Sequence, residues 1–149
     1  MSKIRVALIE DHDLTRVGIR RALQQCSEIE VVGEAASATG GLQMLLTAKP
    51  DITIVDISLP DQDGIELIRQ IKAGQDGGKG PQTKVLILTL RDNFETVVAA
   101  LAAGADSYCI KDISLDNLLE ALRVTYRGNA WIDPAIASIL RGQPNYEQN

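Results

Sequence analysis

A doubly wound parallel α/β sheet is the fold this sequence predicts, and three observations predict it. Strand-forming runs recur five times, at 4–9, 29–35, 52–55, 84–90 and 106–110. The third, Ile52-Thr53-Ile54-Val55, is β-branched throughout without polar alternation and reads as a buried strand. Segments with apolar residues at helical spacing separate the runs, the pattern of right-handed βαβ crossovers.

Each element has its own signal. Ile4 to Ile9 ends abruptly in Glu10-Asp11, and Leu14, Val17, Ala22, Leu23 and Cys26 follow at helical spacing. Ile29 to Ala35 is the second strand. Ser37 is placed to cap a helix running to about Lys49, which Gly40 and Gly41 weaken. Pro50-Asp51 separates that helix from the third strand. Asp56 stands where the third strand stops, Pro60 breaks regular structure, and Asp61 to Gly64 supplies turn and helix-start chemistry. Taken alone, Asp56 reads equally well as a turn cap or as a ligand-facing acid at the carboxyl end of a strand. Asp63 is placed to cap a helix whose core face is Ile65, Ile68 and Ile71.

Residues 73–81 read as a flexible surface loop by composition. Their glycines are not followed by Gly-Lys-Ser/Thr and precede a strand rather than a helix, which argues against a phosphate loop. Lys84 to Leu90 is the fourth strand, with Thr89 near its carboxyl end. Phe94, Val97, Val98 and Leu101 form a helical stripe that Gly104 ends. Asp106 to Ile110 is the fifth strand and Lys111 follows it. Leu115, Leu118, Leu119, Leu122 and Tyr126 mark a last sheet-covering helix closed by Gly128. Asp133-Pro134 then gives an N-cap and a first-position proline for a short helix with Ile136, Ile139 and Leu140 on one face. The division expected is a domain over 1–127 and a connector over 128–149, whose tail from Gln143 is expected to be disordered.

Composition narrows the function. A net charge of -5 over 149 residues argues against general affinity for nucleic acid or an anionic membrane. Cys26 and Cys109 lack metal-ligand spacing and are expected to be free thiols in a reducing compartment. No apolar stretch is long enough to span a bilayer, so a cytoplasmic protein is expected.

In a parallel sheet all strand carboxyl ends lie on one edge, so Glu10, Asp11, Asp56, Thr89 and Lys111 can converge. Three crowded carboxylates repel one another unless a cation sits among them. Oxygen ligands without His or Cys suit Mg²⁺. Lys111 offers a positive charge and Thr89 a hydroxyl to a phosphoryl group. The sum is a site for phosphoryl transfer to a carboxylate, with Asp56 as nucleophile.

This ordered set, with Pro60, Gly64, Tyr108 and Lys111-Asp112, resembles the receiver domain of two-component response regulators over roughly residues 3 to 127. The resemblance implies a flavodoxin-like five-stranded sheet in the order 2-1-3-4-5. It implies that Asp56 takes phosphate from a sensor histidine kinase. Asp11, Asp56 and the Ser58 backbone carbonyl would ligate Mg²⁺, and Glu10 would act largely through bound water. Lys111 would pair with the phosphoryl group. Thr89 would move toward it, letting Tyr108 turn inward and reshaping the face made by helix four, strand five and helix five. No enzyme activity beyond its own phosphorylation and dephosphorylation is implied. His12 is read as an exposed helix-start residue without a catalytic role.

The chain departs from the family pattern in two places. Leu90 stands where a small residue is usual, and its bulk could slow phosphorylation or hydrolysis. The Gly-rich loop before the fourth strand is longer than usual. Residues 128–134 look like the connector of receivers joined to a LuxR-type helix-turn-helix, yet too few residues follow for such a domain. The expectation is a fragment of a transcription regulator or a stand-alone receiver, and DNA would be read only through a domain absent here. Helices one and five, or the face around Tyr108, could support a homodimer. The alternatives are a pseudo-receiver, an aspartyl-nucleophile phosphohydrolase, which usually wants an acid where Ser58 stands, and a flavin carrier. The last needs a hydroxyl- and Gly-rich loop where this chain has Glu10-Asp11-His12-Asp13.

Overall fold

The computed structural model describes residues 2–75, 82–90 and 92–142. The strands are β1 (Ile4–Ile9), β2 (Ile29–Ala35), β3 (Ile52–Val55), β4 (Lys84–Thr89) and β5 (Ser107–Ile110). The helices are α1 (Asp13–Gln24), α2 (Ala38–Ala48), α3 (Gly64–Gln75), α4 (Phe94–Ala103), α5 (Leu115–Tyr126) and α6 (Pro134–Leu140). The five strands form one sheet in the order β2-β1-β3-β4-β5, and every pairing is parallel. Fold class and strand order are therefore those the sequence led to.

Alternate residues of the central strands bury on opposite faces, which is why those strands are mostly apolar, with Arg5, Thr53, Lys84 and Thr89 the exceptions. Ala7, Ile9, Val55, Val85, Ile87 and Tyr108 enter one core cluster, where Leu45, Ile65, Ile68, Val97 and Ile136 from α2, α3, α4 and α6 meet them. Val6, Leu8, Ile54, Leu86, Leu88 and Cys109 enter the other, against Leu23 of α1 and Leu118 and Leu122 of α5. Cys26 and Cys109 are free thiols. Burial pushes the Cys109 thiol up to about 12, so it stays protonated at neutral pH.

Capping closes the helices as their sequences suggest. The Ser37 hydroxyl accepts from Gly40 N at 3.1 Å, and the Asp63 carboxylate accepts from Ile65 N at 2.9 Å. Gly104 ends α4 in the left-handed conformation, with φ +115. Two details differ from the sequence reading. The stripe on α4 is only half buried: Val97 and the small Ala100 pack inward and Leu101 lies partly buried against the same core, while Phe94 and Val98 are exposed. The loop expected to open at Ala73 begins later, because α3 runs on through Gln75. Residues 76–81 of that loop and the tail from Gln143 lie outside the described residues. Among the described residues no helix is long and apolar enough to cross a membrane.

Glu34 on β2 locks α1 to the sheet, accepting from Arg16 Nε at 2.9 Å and from Arg20. Burial works to raise its pKa, and the two guanidinium groups more than reverse this, leaving it below the ordinary 4.5. An acid held low stabilises the fold at pH above its unfolded value and loses that contribution as pH falls through its folded value. Glu34→Gln is therefore expected to flatten the acid limb of the stability profile below pH 4.5. Urea midpoints measured from neutral pH down to about pH 3 check this, and parallel profiles would contradict it.

Candidate acidic site at the strand ends

The last rungs of the sheet fix the site's backbone. Glu10 N donates to Ala35 O at 3.0 Å, Asp56 N to Ile9 O at 3.0 Å, and Lys111 N to Thr89 O at 2.9 Å. The residues that directly follow β1, β3 and β5 are thus set on one edge by hydrogen bonds that extend the ladder of the sheet. Their side chains meet there. Lys111 Nζ lies 2.8 Å from Glu10 Oε1 and 2.9 Å from Asp56 Oδ2; its side chain is 18% exposed and each acid 6%. Carboxylate oxygens of Glu10, Asp11 and Asp56 all lie within 4.8 Å of one another.

Further donors complete the electrostatics. His12 N donates to Glu10 Oε2 at 3.0 Å, and Ser58 N donates to Asp56 Oδ1 at 3.1 Å. Burial pushes the Glu10 carboxyl up, and nearby Asp56 adds to that, against the lowering by Lys111 and the His12 N–H. Burial alone would lower the Lys111 ammonium, but its bonds to Glu10 and Asp56 more than offset it and hold the pKa high. The ammonium therefore stays charged between two acids. This donor set fits a hard divalent cation: three carboxylates, one of them exposed, with no nitrogen or sulfur ligand.

Thr89 and Tyr108 stand on β4 and β5 beside this edge, and both are buried. The expectation that Tyr108 turns inward meets a ring that is already fully buried, packed in the cluster that holds Ile136 of α6. Leu90 is 74% exposed, so its bulk lies in solvent. His12 is exposed and caps α1, its ring accepting from Thr15 N at 3.3 Å.

Two supporting residues escaped the sequence reading. Asp61 reaches from the β3–α3 loop to the start of α2, accepting from Ala38 N at 2.8 Å and Thr39 N at 2.9 Å. Those bonds hold its carboxyl down to about 2 and anchor the loop that follows Asp56. The unsatisfied amides that any helix start leaves were the available signal. Arg16 donates to Glu10 O at 2.8 Å while pairing with Glu34. Its signal was only that its helix follows the acids directly.

The molecule is a doubly wound α/β domain with a lysine-bridged acidic centre on its strand edge. The chain belongs to the response regulator receiver domain family, whose model matches residues 6–123. It is 37% identical over 140 residues to the response regulator protein VraR of Staphylococcus aureus, covering 94% of this chain and 65% of that protein. The chain thus spans under two thirds of that relative's length. A two-component response regulator of the LuxR family from Aurantimonas superposes with a TM-score of 0.86 at 28% identity, over 97% of this chain and 99% of that one. The isolated receiver domain of RcsB from Salmonella enterica, solved with a beryllofluoride phosphomimetic, gives 0.81 at 26% identity over 93% and 99%. These are signalling proteins with LuxR-type relatives.

Proposed function

We propose that the chain is a phospho-acceptor switch in which Asp56 takes a phosphoryl group from a phosphohistidine on a sensor histidine kinase. One observation carries the reading: the Lys111 ammonium is bonded to both Glu10 and Asp56, with Asp11 completing the acid cluster. An Asp56 oxygen attacks phosphorus, the phosphorus–nitrogen bond breaks, and the imidazole leaves with its electron pair. Lys111 then turns to the transferred oxygens, and the Thr89 hydroxyl donates to them. Asp11, Asp56 and the Ser58 carbonyl would hold Mg²⁺, with Glu10 beside them, and the ion would neutralise charge on the phosphoryl oxygens.

The wider assignments belong to the same proposal. The setting is cytoplasmic, and the Thr89–Tyr108 pair relays the new charge to the α4–β5–α5 side. The VraR match and the LuxR-family neighbour support a transcription regulator whose DNA-binding part lies outside this chain. A homodimer would use outer faces of α1 and α5, or the face around Tyr108. Exposure of Leu90 speaks against the pseudo-receiver alternative, since it leaves Asp56 unblocked by that side chain.

Incubation with acetyl phosphate and Mg²⁺ is expected to add one base-labile phosphate, and Asp56→Asn to abolish it. Intact-mass measurement decides the matter. Unmodified wild type, or equal modification of the variant, would defeat the assignment.

A further inference from the structure

Beyond α5 the chain turns back onto the sheet. Ile132 bridges Tyr108 in parallel: Tyr108 N donates to Trp131 O at 2.9 Å, and Asp133 N donates to Tyr108 O at 3.0 Å. A chain of hydroxyls makes a second tie. The Thr125 hydroxyl donates to Ala121 O at 2.7 Å, so its oxygen accepts the Ser107 hydroxyl at 2.6 Å. The Ser107 oxygen in turn accepts from Trp131 N at 2.9 Å. Each proton has one destination, which fixes the direction of the chain. Asp133 then caps α6, and Ile136 is fully buried in the cluster with Tyr108, Val97 and Ala100.

The result is that β5 is bonded along both edges, by β4 and by this segment. β5 is also the strand that delivers Lys111. It is only 4 residues long, and so short a strand paired on one side opens readily at its ends. We propose that residues 131–140 form a clip that holds β5 where Lys111 reaches Asp56, so that docking of the clip and a phosphoryl group on Asp56 favour each other. The inference rests on the phospho-acceptor reading above. Coupling is reciprocal: a phosphoryl stand-in tightens the clip, and a loosened clip weakens binding of the stand-in.

The test uses the full chain with beryllium fluoride and Mg²⁺. Amide exchange at Tyr108 and Asp133 reports the clip, and fluorescence of Trp131, the chain's single tryptophan, follows the titration. Saturating beryllofluoride is expected to slow exchange at Asp133 about tenfold in the wild type. Ile136→Ala, which opens a gap away from the acids, is expected to speed that exchange and weaken beryllofluoride affinity about fivefold. Ser107→Ala breaks the hydroxyl chain and should act in the same direction; it carries the test if Ile136→Ala fails to unfold cooperatively. Faster exchange in the variants with unchanged affinity, or beryllofluoride that speeds exchange, overturns the clip and leaves the phospho-acceptor reading standing. A wild type that binds no beryllofluoride overturns both.

Discussion

Lys111→Met is expected to lower the rate of Asp56 phosphorylation by roughly 100-fold or more, the scale of losing one preorganised charge facing a transferring group. It should also destabilise the fold, which separates the site's electrostatics from its chemistry. In the wild type the ammonium bonds two acids that are each 6% exposed. Removing one partner of a buried charge cluster leaves the others uncompensated, at a cost of about 3 kcal/mol. Two levers should restore the loss. Mg²⁺ held at the proposed site would supply the missing positive charge, so its addition should stabilise the variant more than the wild type. Protons do the same. The Glu10 carboxyl is already raised by burial, and losing the lysine raises it further. For an acid whose folded pKa lies above its unfolded value, stability rises as pH falls through the folded value. The variant's deficit should therefore shrink on acidification. Denaturant midpoints with and without Mg²⁺, at neutral and mildly acidic pH, decide it. A deficit that ignores both ion and proton would mean that the acids do not depend on Lys111 for their charge balance.

Fold and site differ in how far they can be read from residue order. The sheet is legible because buried parallel strands write themselves as mostly apolar runs without polar alternation, and because Gly104 and Ser37 mark helix ends by conformation and capping. Convergence of Glu10, Asp11, Asp56 and Lys111 is legible for the same reason: a parallel sheet leaves strand ends nowhere else to go. What stays hidden depends on contacts between loops. Asp61 capping a helix that precedes it is a choice of tertiary packing, since many exposed acids sit in turns. The α4 stripe misleads because Ala100, a small residue, faces the core while Phe94 faces solvent. The course of residues 131–133 along β5 is invisible because its bonds are backbone bonds, available to nearly any sequence with the right reach.

Gly64→Ala is expected to cost about 3 kcal/mol and to slow Asp56 phosphorylation roughly 100-fold, although the substitution is the mildest available. The φ of Gly64 is not positive, so alanine could adopt its backbone conformation, and the difficulty is space. A Cβ there would stand 2.5 Å from Ile57 Cα and 2.7 Å from Ile57 O. Those are backbone atoms, so no rotamer change relieves the clash. The chain must instead part where Gly64 N now donates to Ile57 O at 2.9 Å. That bond closes the loop carrying Ser58, whose N–H orients Asp56 at 3.1 Å. Displacing the loop therefore disturbs the proposed acceptor and the proposed Ser58 ligand together. Gly18 provides the control, because it lies exposed in α1 and an added Cβ would meet nothing within 4 Å. Gly18→Ala should raise stability by about 0.5–1 kcal/mol through helix propensity and leave phosphorylation unchanged. Urea unfolding, with phosphorylation measured where both variants are fully folded, separates the two effects. Wild-type phosphorylation in folded Gly64→Ala would show that the loop's closure at Ile57 does not position Asp56.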